Sequence, residues 1–550
     1  LSPARQAGDK EALASMVDDN TEIELKLEVA DEDLDRLRRH PLLKRTKTGR
    51  ATSKTLKSVY FDTPDFLLFD RGASLRVRHS GKRRIQNVKA RGDTGGAGLF
   101  ARKEWECDIS GDSPDVAAIM DTGMADLFAR PGVLEELKPL FTTDFKRTEY
   151  TLGNGTWEVA LTLDRGAVMS DRGSLPLCEV ELELMRGEPA DLFEIARILH
   201  ETAPMRLSTQ SKSERGYALV GGLDRVPIKA PDVPVAADMT VAEAIQTICR
   251  ACQRHLLQNE APLRDLRDPE AVHQMRVALR RLRSALSVFK ALVGGPETDS
   301  LKEGLKWLTD ELGPARDTDV FIDEILGPVR SNRPDEDGMD ALMQRFERRN
   351  ADHYRRALAA LEDRRYTGLM LQLGTWIEGG AWLSADDDAQ RALLAAPCGG
   401  FAASVLKSRH KKVRKNGKRF NELSAEQRHR LRVHIKKLRY ASEFFADVWG
   451  KDKSAQRYLK ALKTLQDDLG DLNDIAVAHG LLHAIVGKTG VTNRESWAAG
   501  LAAGWHDARQ TALLASARLS WKAFADTDVF WPKPKKAEKA ARKAQKRTTG

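Results

Sequence analysis

No apolar run in the 550-residue chain approaches the ~18 residues that a membrane-crossing helix needs. Only five cysteines are present, irregularly spaced, and Cys249 and Cys252 form a lone C-x-x-C without a second ligand pair. That excludes a disulfide framework or zinc ribbon, reads the two thiols as ordinary helix residues, and fits a reducing cytoplasm. The first twenty residues are polar and acidic with no signal-peptide pattern, and because the numbering begins at Leu1 the true start is expected upstream. The first half also lacks a serine–histidine or cysteine–histidine pairing of the kind that covalent catalysis uses. What remains is charge. Charged residues make up 31% of the chain against 41% hydrophobic, with a net charge of +9. The balance favours a polyanionic partner: nucleic acid, membrane surface or polyphosphate. At roughly 150 residues per domain, about three or four compact units are expected.

The pattern changes near residue 222. Before it, Glu22–Glu28, Ser74–Arg78, Trp157–Leu163 and Glu179–Leu184 alternate with period two, which reads as strands. Residues 222–238 hold three prolines and no periodicity, which reads as a linker. Beyond it the spacing is helical. The expected division is a disordered 1–19, a strand domain 20–221, the linker, a helical domain 239–530 and a basic disordered tail 531–550.

An internal repeat organises the helical part. His273-Gln-Met-Arg-Val-Ala-Leu-Arg-Arg-Leu-Arg283 matches His429-Arg-Leu-Arg-Val-His-Ile-Lys-Lys-Leu-Arg439, and Leu312–Val320 matches Leu469–Val477, at offsets of 156 and 157 residues. Two matches at nearly one offset indicate duplication into two helical bundles. In each copy one face carries a basic stripe: His273, Arg276, Arg280 and Arg283, then His429, Arg432, Lys436 and Arg439. Solvated basic faces normally interleave glutamate, yet between Lys407 and Arg439 only Glu422 and Glu426 are acidic. A polyanion is therefore expected here. Nucleic acid is disfavoured, because single-strand binders interleave aromatics with the basic residues and 402–419 has none.

On the strands the charged residues share faces: Glu22, Glu24 and Lys26; Arg76 and Arg78; Arg102, Glu104 and Glu106; Glu179, Glu181 and Glu183. Lys89, Arg147, Asp164, Lys212 and Arg215 add further charge on or near strands. Two like charges about 4 Å apart cost on the order of 4 kcal/mol at an effective dielectric near 20, and a hard cation held by oxygen ligands relieves this. A closed β-structure with carboxylates in one place and guanidinium and ammonium groups in another suits a metal-bound phosphate chain.

Glu22-Ile-Glu-Leu-Lys26 is the E-x-E-x-K signature of CYTH domains, the triphosphate tunnel metalloenzymes. The resemblance continues in order through Tyr60-Phe-Asp-Thr63, Leu75-Arg-Val-Arg78, Lys89, Arg102-Lys-Glu104, Phe145-Lys-Arg147, Leu163-Asp-Arg-Gly166, Glu179–Glu183 and Ser211-Lys-Ser213. The duplicated H-x-x-R-V-x-x-[RK]-[RK]-L-R resembles the CHAD domain, an all-α domain that often follows CYTH. Together they imply an α+β chain: an eight-stranded antiparallel β-tunnel, then a pair of four-helix bundles with a groove for inorganic polyphosphate.

Carried over by position, Glu22, Glu24, Asp164, Glu179, Glu181 and Glu183 would bind Mg²⁺ or Mn²⁺, in a two-metal site. Lys26, Arg76, Arg78, Lys89, Arg102, Arg147 and Lys212 would grip the triphosphate. Lys26 would also serve catalysis, with Glu104 or Glu106 orienting the attacking water. The implied activity is hydrolysis of inorganic triphosphate, with polyphosphate held by the helical half. The place implied is the cytoplasm or its polyphosphate granules, and no membrane partner is expected. The tunnel family also includes adenylyl cyclases and thiamine triphosphatases, and a targeting protein with a silent tunnel is the alternative from another class. Asn473, standing where the first copy has Arg316, weakens the case for Arg316 as a ligand and leaves Asp317 and Asp474 to internal salt bridges or helix ends.

Overall fold

The alternating segments become nine antiparallel strands: β1 (Thr21–Val29), β2 (Thr52–Asp62), β3 (Ala73–Ser80), β4 (Arg83–Arg91), β5 (Leu99–Ile109), β6 (Lys138–Gly153), β7 (Glu158–Ser170), β8 (Gly173–Arg186) and β9 (Met205–Leu207). The structure, a computed structural model, describes residues 21–91, 98–221, 226–384, 386–450, 453–484, 486 and 490–532, without the side chains of 21, 91, 101 and 102. The strand order is β5-β4-β3-β2-β6-β7-β8-β1-β9. β1 pairs with β8 along Glu24–Glu28 and with β5 along Thr21–Leu25, so eight strands return on themselves. β9 adds a short ninth strand beside the end of β1.

Closure turns the ordinary strand pattern inside out. On β1 and β8 the apolar residues Leu25, Leu27, Val180 and Leu182 are fully buried, while Glu24, Lys26, Glu179 and Glu181 on the opposite faces are buried as well. Helix α1 (Pro189–His200) packs on β1 and β8, and helix α2 (Lys212–Val220) packs on β6 and β7. The Asp62 of Tyr60-Phe-Asp-Thr63 is a structural residue. Its buried carboxylate accepts from the amides of Thr63 (2.7 Å), Leu68 (2.8 Å) and Phe69 (3.0 Å) and from the Tyr217 hydroxyl (2.7 Å). It thereby ties the turn after β2 to α2. Gly166 ends the Leu163-Asp-Arg-Gly motif for a steric reason: a Cβ there would lie 2.1 Å from the Asp144 carbonyl oxygen on β6.

The chain forms two units, Leu1–Val226 with Asp363–Gly379, and Pro227–Glu362 with Gly380–Gly550. A helix at Arg364–Gly379, which lies in sequence between the two repeats, belongs to the first unit and packs against α1. Glycines permit the approach: a Cβ on Gly374 would sit 2.3 Å from the Phe193 ring, and one on Gly379 2.6 Å from Ala190. His200 Nε2 lies 3.0 Å from the Arg364 carbonyl, and the Arg364 guanidinium donates back to the His200 carbonyl.

In the second unit the duplication is visible helix by helix. Helices α3 (Val241–Gln258), α4 (Pro269–Val288), α5 (Pro296–Val320) and α6 (Asp337–Glu362) recur as α7 (Cys398–Asn416), α8 (Ala425–Phe444), α9 (Lys453–His483) and α10 (Asn493–Asp526), each starting 156 or 157 residues later. Successive helices pack in the same order in both sets, and α4 meets α8 while α6 meets α10. Cys249 and Cys252 are buried on α3, as free thiols. The expected linker carries no regular structure over its described residues, yet it is held. Val233 and Val235 are buried, and the Pro231 carbonyl accepts from the buried Arg281 guanidinium at 3.2 Å. Trp531 is buried, with its ring centroid 5.3 Å from that of Tyr458. Residues 1–19 and 533–550, expected to be disordered, lie outside the described residues. No described helix is long and apolar enough to cross a membrane.

Replacing Asp62 by alanine orphans three buried amides and a buried hydroxyl. Asp62→Ala is expected to destabilise the first unit by about 3–5 kcal/mol in urea unfolding. A loss below about 1 kcal/mol would contradict the role assigned to this carboxylate.

Candidate functional site

The ring of strands encloses a cavity of about 470 Å³. Among the described residues its lining carries six carboxylates (Glu22, Glu24, Glu104, Glu106, Glu181, Glu183) and six cations (Lys26, Arg76, Arg78, Lys89, Arg147, Lys212). Strand register sorts them into two groups. On one side β7 and β8 place Asp164 opposite Glu179, and β6 places Arg147 opposite Asp164. On the other side β4 and β5 place Lys89 opposite Glu104 and Asn87 opposite Glu106, and β3 places Arg76 opposite Asn87.

The first group is the more deeply buried. Asp164, Glu179 and Glu181 each offer an oxygen, and these lie within 4.8 Å of one another. Arg147 forks onto Asp164 at 2.8 and 2.6 Å and also pairs with Glu181. Lys212 Nζ lies 2.8 Å from Asp164 and 3.0 Å from Glu181, and pairs with Glu179. Lys26 bridges Glu24, at 2.7 Å, and Glu181. Burial disfavours every charge here, but the pairing decides the outcome group by group. At Glu181 burial is outweighed by Lys212, Lys26 and Arg147, and its pKa falls well below the usual range. At Glu179 burial prevails over Lys212 and the pKa rises. Lys26 and Lys212, despite burial, are raised by their carboxylate neighbours.

The second group centres on Lys89, 2.9 Å from Glu22 and 2.5 Å from Glu104. Glu22 and Glu104 also act on one another, and their pKa values move apart. Burial, with Glu24 and Glu104 nearby, pushes Glu22 up to about 8 although Lys89 opposes it. Lys89 and Arg76 hold Glu104 well below its usual range against the effect of burial. Arg76 also reaches the Tyr60 hydroxyl at 3.2 Å. Glu106 meets Arg78 at 3.6 Å and Asn87 at 3.3 Å. Glu183 lines the cavity between the groups, and its pKa is raised by burial and by Glu24.

Of the six expected metal ligands, then, Asp164, Glu179 and Glu181 come within ligand distance of one another, Glu24 joins them through Lys26, and Glu22 stands with Glu104. The side chain of Arg102 lies outside the described residues. The acidic triad fits a hard divalent cation. It is all oxygen, it is buried, and Glu179 Oε2 has no hydrogen-bond partner. The basic side of the cavity fits an anion, because the buried Nε donors of Arg76 and Arg78 also lack acceptors. Tyr60, Asn87 and Phe145 line the cavity without having been singled out as site residues. The alternation of β4, where Asn87 and Lys89 share a face, carried the signal for Asn87.

In the second unit the two basic stripes meet where α4 packs on α8. The Arg280 charge acts on Arg276 of its own helix and on Arg432 and Lys436 of the other. The Nε donors of Arg276, Arg280, Arg432 and Arg439 are buried without acceptors. Burial, then Arg432 and Arg280, push Lys436 down to about 8, and burial and Arg316 push His273 down to about 4. Arg276 pairs with Asp317 at 3.0 Å and Arg432 faces Asp474 at 3.9 Å, so these aspartates hold equivalent salt bridges in the two copies. His429 Nδ1 lies 2.7 Å from Asn473 Oδ1. Arg283 is exposed. Arg316, set aside on sequence grounds, stands beside His273 and Arg276.

Comparison with known proteins matches these two regions separately. Residues 20–217 match the CYTH domain model and residues 247–483 the CHAD domain model. An inorganic triphosphatase of Haemophilus influenzae is 28% identical over 165 residues, 30% of this chain and 46% of its own, so the chain spans about half the length of that relative. An uncharacterized protein of Mycobacterium tuberculosis is 24% identical over 469 residues, 80% of this chain and 85% of its own. The crystal structure of the CHAD domain from the plant Ricinus communis shares 33% identity, covers 54% of this chain and 96% of that one, and superposes with a TM-score of 0.47. The chain therefore carries a CYTH domain over residues 20–217, in its strand unit, and a CHAD domain over residues 247–483, in the duplicated helices that follow.

Proposed function

We propose that the tunnel hydrolyses inorganic triphosphate with a divalent metal and that the helical unit binds inorganic polyphosphate. The observation that carries the first part is the composition of the cavity: a buried oxygen-only triad on one side and arginine donors without acceptors on the other. With six carboxylates facing six cations among the described lining residues, and each of those cations paired with a carboxylate, a phosphate chain would not find free positive charge waiting. Binding it requires positive ions on the carboxylates, so that the lysines and arginines are released to phosphate oxygens. Mg²⁺ or Mn²⁺ would supply charge neutralisation there, and a second such ion would lower the pKa of a bound water.

The chain's own residues divide the remaining work. Glu24, Asp164, Glu179 and Glu181, with Glu22 and Glu183, would hold the metal. Arg76, Arg78, Lys89, Arg147 and Lys212, joined by Lys26 and Arg102, would hold the phosphates in line, the arginines by paired N–H donors. Glu104 is committed to Lys89, Arg76 and Asn87, whereas Glu106 is more exposed and meets its partners at 3.3 Å or more. Glu106 is therefore the freer of the two to orient a water. A nucleotide or thiamine substrate needs an aromatic shelf. Here the Tyr60 ring is stacked on Phe141, with centroids 4.6 Å apart, and Phe145 lies under Lys212 and Arg147. Neither offers a free face, which favours an inorganic substrate.

Phosphate release from triphosphate is expected only with Mg²⁺ or Mn²⁺, and Glu24→Ala is expected to slow it by about 100-fold or more. Metal-independent release, or a Glu24→Ala chain as fast as wild type, would overturn the tunnel assignment. In the helical unit, Arg280→Glu combined with Lys436→Glu is expected to lower polyphosphate affinity by at least about 100-fold, and unchanged binding would exclude the groove.

Lys436 adds a proton signature. Its folded pKa of about 8 lies below the usual lysine value of 10.5. In that window the folded chain binds fewer protons than the unfolded one, so this group makes stability rise with pH there. A docked polyanion would restore the proton. Calorimetry near about pH 8.5 in two buffers of different ionisation enthalpy is expected to show proton uptake, with affinity falling as pH rises through the window. Binding enthalpies equal in the two buffers would contradict this.

A further inference from the structure

The acidic triad that fits a metal already holds a cation. The Lys212 ammonium lies 2.8 Å from Asp164 Oδ2 and 3.0 Å from Glu181 Oε1, and it pairs with Glu179. These are the three carboxylates whose oxygens lie within 4.8 Å of one another. An ammonium and a divalent ion cannot share that space, since each would stand within about 3–4 Å of the other in a low-dielectric site.

The element that carries Lys212 is built to shift at one end. Lys212 is the first residue of α2, whose second turn is fixed by the Tyr217 hydroxyl on Asp62 at 2.7 Å. Its N-terminal end is held by capping bonds between Ser211 and Glu214 and by charge contacts, Lys212 on the triad and Arg215 on Glu28 and, at 3.8 Å, on Glu179. Ser211, Lys212 and Ser213 already face the cavity, so the ammonium has a short path from the carboxylates to the space where phosphate would lie. The Phe145 ring, 5.0 Å from Lys212 Nζ, lines that path with a surface on which a cation can rest.

We propose that Lys212 is an exchangeable counter-ion: metal binding at Asp164, Glu179 and Glu181 expels its ammonium into the cavity, where it becomes a phosphate ligand, and loosens the first turn of α2. The inference rests on the metal-dependent reading of the tunnel and adds an order to it. Metal binds first, at the cost of displacing Lys212, and the displaced charge then favours the phosphate chain. Metal and triphosphate thereby bind with positive cooperativity although no new residue is recruited. It also gives Lys212 two effects of opposite sign. It weakens metal binding to the free chain and strengthens phosphate binding to the metal-loaded one. A residue that merely supported the fold would weaken both when replaced.

The test is Mn²⁺ binding to the full chain without phosphate, followed by the electron paramagnetic resonance signal of free Mn²⁺, for wild type and Lys212→Met. Lys212→Met is expected to bind Mn²⁺ about tenfold or more tightly, while its affinity for triphosphate in the presence of Mn²⁺ falls. A second measurement needs no variant: Mn²⁺ is expected to speed amide exchange at residues 211–215 of the wild-type chain. Equal or weaker Mn²⁺ binding by Lys212→Met, or slower exchange at 211–215, overturns the exchange. Undetectable Mn²⁺ binding by both chains overturns it too, and the metal dependence of phosphate release then tells whether the tunnel reading falls with it.

Discussion

Charged side chains that point into a closed ring of strands lose most of their water, and each is tolerable only while an opposite charge stands against it. The rest of the first unit depends on this constraint. The outer faces of β1 and β8 are apolar and covered, so the inner faces have no alternative solvent. Asp164 and Glu179 are fully buried, and their neighbours Arg147 and Lys212 sit where those charges require them. Such pairing is costly for stability and informative about function. A core with no ligand to receive would be better served by leucine, so a dozen charges kept inside one cavity are there for something charged that comes and goes.

The same reasoning distinguishes the helical unit, where the problem is repulsion. Two repeats bring basic stripes face to face across α4 and α8, and the cations there depress one another: Lys436 is lowered by Arg432 and Arg280, and Arg432 by Arg280. The two aspartates that accompany them, Asp317 and Asp474, answer only part of the charge. Along the two stripes the Nε donors of Arg276, Arg280, Arg432 and Arg439 remain buried without acceptors among the described residues. One unit holds its charges in pairs and the other leaves them in excess. They would therefore meet a phosphate chain differently, the first only with metal and the second directly.

Much of this was legible in the chain because it is local or periodic. Glu22, Glu24 and Lys26 share a face by strand geometry alone, and the repeat of the basic stripe at 156 residues survives as four helices at the same offset. What was not legible depends on closure. Glu22 stands with Glu104 because β1 and β5 meet at the seam of the ring, and alternation on β1 cannot foretell that partner. The helix at Arg364–Gly379 resembles any other amphipathic helix of the second half. Its fit against α1, with Gly374 on Phe193, Gly379 on Ala190 and Arg364 bonded to His200, assigns it to the first unit. The position of Arg316 was not legible for a related reason. Its counterpart Asn473 differs in type, yet its position beside His273 follows from helix packing rather than from identity between the copies.

One cavity is proposed to hold metal on its acidic side and phosphate on its basic side. Crystals grown with Mn²⁺ and triphosphate test it most directly, through the anomalous scattering of manganese. Manganese is expected on Asp164, Glu179 and Glu181 inside the strand ring, with the phosphate chain against Arg76 and Arg78. Manganese confined to the outer surface, or a cavity without phosphate while the groove between α4 and α8 is filled, would contradict it.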